Sequence, residues 1–122
     1  IWNRACYGGG VSPRVGDKAL AALLLFHGPA MNGGVLHAVE CLSKEQLTEA
    51  KDGYTFYGFE VIADLISHAQ DAIEKNLDLD ELETTMNEQY WAQVPDDGVL
   101  VSSFERHQKQ NPFEYSPVNE NE

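Results

Sequence analysis

Between residues 57 and 73 the apolar side chains Phe59, Ile62, Ile66, Ala69 and Ile73 recur three or four positions apart. That spacing is one face of a helix with 3.6 residues per turn. No stretch of the chain alternates polar and apolar residues convincingly with period two, so half-buried strands are not expected. At 122 residues and 43% hydrophobic, a single chain of this length hides roughly 65% of its unfolded surface on folding and needs no covalent staple. The pattern therefore predicts an all-α, compact single domain of five to seven short helices.

Breakers and caps divide the chain. Residues 1–16, with Trp2, Tyr7, the run Gly8-Gly9-Gly10 and Pro13, read as an irregular lead-in. Asp17 is placed to cap a helix over 18–26 that Gly28-Pro29 stops, and a second helix is expected over 35–42. Ser43 with Gln46 three residues on fits a capping box, for a helix running toward Ala50 and broken by Gly53. After the long amphipathic helix, Lys75-Asn76 marks a stop. A helix from about Asp80 to Tyr90, the interruption Val94-Pro95, and a last helix over 99–110 opened by Asp96 or Asp97 and stopped by Asn111-Pro112 complete the series. The helical domain is placed at 17–115, and 116–122 reads as an acidic, disordered tail.

Charge narrows the function classes. Twenty Asp and Glu against eight Lys and Arg give −12. A surface of that sign is a poor direct partner for nucleic acid or anionic lipid, which need basic patches to displace counterions. It favours basic protein partners instead. Residues 71–90 hold seven acids against Lys75 alone, a net −6 in twenty positions. The longest apolar run, 19–26, is eight residues, far short of the ~20 that span a bilayer. No membrane partner is expected, and a cytoplasmic location is the default. Cys6 and Cys41 are too few for a disulfide framework and read as small buried apolar side chains.

Several constellations resemble sites without completing them. Asn76, Asp78 and Asp80 take the one-three-five spacing of a calcium loop. Glu81 then stands where the turn needs Gly, and Asn87 stands where a bidentate Glu belongs. Glu60, Asp64 and His68 line one helical stripe at four-residue spacing. They are the kernel of a rival reading, a metal-dependent enzyme or sensor, but no second element offers matching ligands, so a solvated face is expected. His37 and Cys41 also stand four apart, with core packing the expected outcome, and His107 reads as surface. No Gly-x-Ser-x-Gly elbow occurs, and Gly8-Gly9-Gly10 lacks the Lys-Ser or Lys-Thr of a phosphate loop. Tyr54, Phe56, Tyr57, Phe59, Tyr90 and Trp91 lack the cationic groove of a nucleic-acid stacking platform and read as core or a self-association face. No catalytic residue, metal or cofactor is expected.

The turn Asn32-Gly33-Gly34 before a short helix, the segment Tyr57-Gly58-Phe59-Glu60-Val61-Ile62-Ala63-Asp64-Leu65-Ile66, and a late helix ending in Asn111-Pro112-Phe113 give the chain a likeness. Over roughly residues 17 to 115 it resembles the small acidic DNA-mimic protein family. The resemblance implies a mainly helical fold, often dimeric, without catalytic residues, whose acidic surface occupies the DNA-binding face of a basic protein. The chain departs at Val35-Leu36-His37-Ala38, where that family usually carries aromatic residues. The combined expectation is a non-enzymatic inhibitor of a basic DNA-binding protein or, as an immunity protein, of a toxin nuclease. Its binding residues would be Asp71, Glu74, Asp78, Asp80, Glu81 and Glu83.

Overall fold

The computed structural model describes residues 1–6 and 13–116, and the triple glycine and the acidic tail beyond Ser116 lie outside the described residues. Among the described residues there are seven α-helices and one 3-10 helix, and no strand. The helices are α1 (Trp2–Cys6), α2 (Val15–Gly33), α3 (Val35–Cys41), α4 (Lys44–Phe56), α5 (Glu60–Glu74), α6 (Leu79–Gln93) and α7 (Asp97–Gln110), with the 3-10 turn at Pro112–Glu114. The all-α expectation holds. The first residues of the expected irregular lead-in are instead the short helix α1. None of these helices is long and apolar enough to cross a membrane.

The central element is α2, which packs against α1, α3, α4 and the 3-10 turn. It runs through Gly28-Pro29, where the sequence reading stopped it. A proline ring clashes with the Cβ of the residue before it, and Gly28 has none. Leu25, whose carbonyl loses its amide partner, is 47% exposed, so solvent replaces that bond. Asp17 is not the cap but a residue of the first turn, and it is buried. Its carboxylate accepts from the Arg14 backbone N–H at 3.0 Å and from the Ser116 N–H at 2.7 Å, tying the end of the domain to the start of α2.

The glycines after α2 divide the labour. Gly34 holds φ +98°, a conformation that glycine adopts without a steric penalty, and so turns the chain into α3. The turn's backbone donor is satisfied from α6 rather than by Asn32: Val35 N–H donates to Asn87 Oδ1 at 2.9 Å. The Ser43 box forms as expected, with Gln46 N–H donating to Ser43 Oγ at 3.1 Å and Ser43 N–H donating to Gln46 Oε1 at 2.9 Å. Its helix α4 does not break at Gly53. That glycine is buried against α2, where an added Cβ would lie 2.5 Å from the Ala19 carbonyl oxygen.

The core gathers Leu20, Leu23 and Phe26 of α2, Leu47 and Tyr54 of α4, Ile62 and Ile66 of α5, and Leu100 of α7. Phe59, Ile62, Ile66, Ala69 and Ile73 turn inward as their spacing requires, with Ile62, Ile66 and Ala69 fully buried. Both cysteines are free and exposed, not buried. Each sits on the outer side of a short helix whose buried positions are taken by others, Ala5 on α1 and Val35, Leu36, Ala38 and Val39 on α3.

Candidate functional site: an acidic edge and a buried polar chain

The expected binding residues fall on the last turn of α5, the turn at 75–78, and the first turns of α6. Asp71, Glu74, Asp78, Asp80, Glu81 and Glu83 are all exposed. Asp71 and Glu74 lie three apart on α5, and Asp80 and Glu83 three apart on α6, so each pair shares a helix face. Lys75 is the one base in this stretch, and none of the six carboxylates belongs to an ion pair among the described residues. Asp78 has a structural task as well. Its Oδ1 accepts from Asp80 N–H at 3.2 Å and caps α6. Asp80 and Glu81 then sit at the helix N-terminus, where the macrodipole favours negative charge.

The other sequence candidates separate. Glu60, Asp64 and His68 form an exposed stripe on α5, as the solvated-face reading requires. No group of three or more His, Cys, Asp or Glu among the described residues is arranged to hold a metal ion. His37 and Cys41 are exposed rather than packed in the core. His107 is not a free surface residue. Its Nδ1 lies 2.9 Å from the Tyr115 hydroxyl and its ring packs on Phe56. Tyr115 in turn lies 2.8 Å from the Tyr57 hydroxyl, which donates to the Gly16 carbonyl at 3.2 Å.

Sequence reasoning passed over His27. It is buried between two helices distant in sequence, with Nε2 2.6 Å from Asp97 Oδ1 and Nδ1 2.7 Å from the Tyr90 hydroxyl. The Tyr90 hydroxyl continues to the Tyr54 hydroxyl at 2.6 Å, and that hydroxyl donates to the Leu23 carbonyl at 3.4 Å. A chain of hydrogen bonds thus runs from Asp97, 72% exposed, into the centre of the core. With neutral His27 the protons point outward, Tyr54 to Tyr90 to Nδ1. With the imidazolium every donor turns the other way and ends on the Leu23 carbonyl, so the chain is satisfiable in both states. Burial holds the Tyr54 and Tyr90 phenols well above the usual phenol range. Both His27 nitrogens are occupied, so the dyad offers no free base to a substrate. The signal was available: once α2 continues past Gly28, His27 shares its buried face with Leu20, Leu23 and Ala30.

A cleft of about 1090 Å³ runs beside α2 and α4, lined mainly by apolar side chains such as Leu24, Leu25 and Met31, with Glu49, Asp52 and Asp97 among its polar groups. Among family models, curated proteins and solved structures, none matches this chain.

Proposed function

We propose that this domain is an acidic, non-enzymatic binding protein that occupies the basic, nucleic-acid-handling face of a partner, a DNA-binding regulator or a toxin nuclease. The carrying observation is the α5–α6 edge, where six exposed carboxylates lie within thirteen residues against Lys75 alone. Carboxylates three apart on a helix are spaced about 5–6 Å between Cβ atoms. A rigid pair of helices can therefore present a row of negative charge to a groove shaped for phosphates, and attraction of this kind speeds encounter and weakens with salt. Regulator sequestration and nuclease immunity use the same surface, and the identity of the partner decides between them.

The test is capture of partners from lysate of the source cell at low and at high salt, identified by mass spectrometry, with wild type beside Asp71→Lys/Glu74→Lys. Both substitutions lie in the last turn of α5, which holds no base and where the dipole favours a cation. Helicity should persist while the net charge moves from −12 by two reversals of +2 each, to −8. A basic partner held by wild type at low salt, released at high salt and lost by the variant is the expected result. Equal capture by both proteins at both salts refutes the reading.

A further inference from the structure

The outward face of α3 presents His37, Glu40 and Cys41, while Val35, Leu36, Ala38 and Val39 face the core. Cys41 Sγ lies 3.5 Å from His37 Nε2 and 3.8 Å from Nδ1. A tetrahedral zinc ion with a thiolate at about 2.3 Å and an imidazole nitrogen at about 2.0–2.1 Å holds those two donors about 3.6 Å apart. The pair therefore already stands at the bite of a chelate. The imidazole is also seated: a Cβ at position 33 would come within 2.4 Å of His37 Cδ2 and 2.6 Å of Cγ. Only the bare backbone of Gly33 leaves room for the ring where it lies, one turn from the sulfur.

Two donors fill half of a tetrahedron, and among the described residues no third His, Cys, Asp or Glu joins them. A two-fold pairing of the chain sets α3 against its own copy and supplies the same two donors again. We propose that His37 and Cys41 are one half of a divalent-metal site of the zinc class, completed by the His37–Cys41 pair of a second copy into a Cys2His2 centre. Each thiol gives its proton to solvent as its sulfur–metal bond forms, so two protons leave per ion. Each imidazole binds through one neutral nitrogen. The two thiolates cancel the +2 of the ion, leaving the centre neutral. At −12 apiece the bare chains repel, and pairing through α3 waits on the metal.

The experiment is zinc titration of untagged, chelator-stripped protein under a thiol-free reductant, by calorimetry and by light scattering on a sizing column. Cobalt replaces zinc in a parallel absorbance measurement. One ion per two chains, a monomer-to-dimer change on metal addition and thiolate-to-cobalt charge-transfer absorption are expected. His37→Ala and Cys41→Ala, both exposed and so neutral to folding, should each weaken binding by at least the roughly 10- to 100-fold that loss of a mere outer-shell partner costs. Gly33→Ala keeps both donors but displaces the ring, and should weaken binding in the same direction with helicity unchanged. Zinc bound no tighter than by His37→Ala/Cys41→Ala, one ion per monomeric chain, or a dimer that survives chelator would each overturn the proposal. None of these outcomes touches the acidic edge, which shares no residue with α3.

Discussion

Gly53→Ala isolates the contact on which the centre of the fold depends. An alanine is worth about 1 kcal/mol over glycine in a helix interior, so propensity alone makes this substitution stabilising. The added Cβ, however, would meet the Ala19 carbonyl oxygen at 2.5 Å and the Leu23 nitrogen at 3.3 Å. Ordinary contact begins at 3.4 Å, and both neighbours are backbone, which cannot swing aside as a side-chain end would. Helices α2 and α4 must part by almost an ångström, loosening Leu20, Leu23, Ala50 and Tyr54 at once. Overpacking of that kind sits at the upper end of its usual range, about 3 kcal/mol. Subtracting the propensity gain leaves a loss of about 2 kcal/mol. Unfolding entropy of about 2.1 cal/mol/K per residue converts that, over this chain, to a fall in Tm of about 8 °C. Thermal and urea unfolding followed by circular dichroism reads it, with an unchanged urea slope showing that the denatured state is unaffected. A Tm equal to or above wild type refutes the close approach.

Tyr90→Phe removes the hydroxyl that joins His27 Nδ1 to the Tyr54 hydroxyl and leaves both buried groups short of a partner. The expected cost is about 1–3 kcal/mol, and a loss below about 0.5 kcal/mol in urea unfolding counts against the chain. Alkaline pH should unfold the protein through Tyr54 and Tyr90, whose phenols burial holds above their usual 10.0. The fold favours the protonated form, so this stability is complete below about pH 10. It falls as pH rises beyond that, by up to about 1.4 kcal/mol per pH unit for each phenol and ~2.7 for both. Helicity and tyrosinate absorbance should therefore change together; smooth ionisation of all five tyrosines near pH 10 with helicity intact would contradict the burial.

What the sequence made legible was local. The box at Ser43 and Gln46 needs only a three-residue spacing, and the inward face of α5 needs only a period. Val94-Pro95 and Asn111-Pro112 end helices because a proline there meets no compensating neighbour. What stayed hidden depends on what lies opposite. Gly53 reads as a breaker until Ala19 is found against it, and then the missing Cβ is the reason the helix belongs there. Gly28 reads as half of a stop signal, yet it is what lets Pro29 sit within α2. Cys6 and Cys41 resemble core residues by type, but their helices bury other positions. His27 was hidden by the misplaced end of α2, since a histidine near a presumed helix end has no face to share.

The acidic edge and the buried chain meet in α6. That helix buries only Met86 and Tyr90 fully, too thin an apolar stripe to fix its rotation by packing alone. Directional bonds do the rest: the Tyr90 hydroxyl is held by His27 and Tyr54, and Asn87 Oδ1 takes the Val35 N–H. Hydrogen bonds constrain angle as well as distance, so these contacts set which way Asp80 and Glu83 point on the opposite flank. A charge row recognised as a substitute for phosphates gains affinity when its geometry is set before encounter, because less ordering remains to be done on binding. Tyr90→Phe should on this account weaken capture of a basic partner without removing a charge, and with most of its effect in dissociation rather than association. Loss confined to the association rate would mean that the edge acts through its net charge alone and that the polar core serves the fold only.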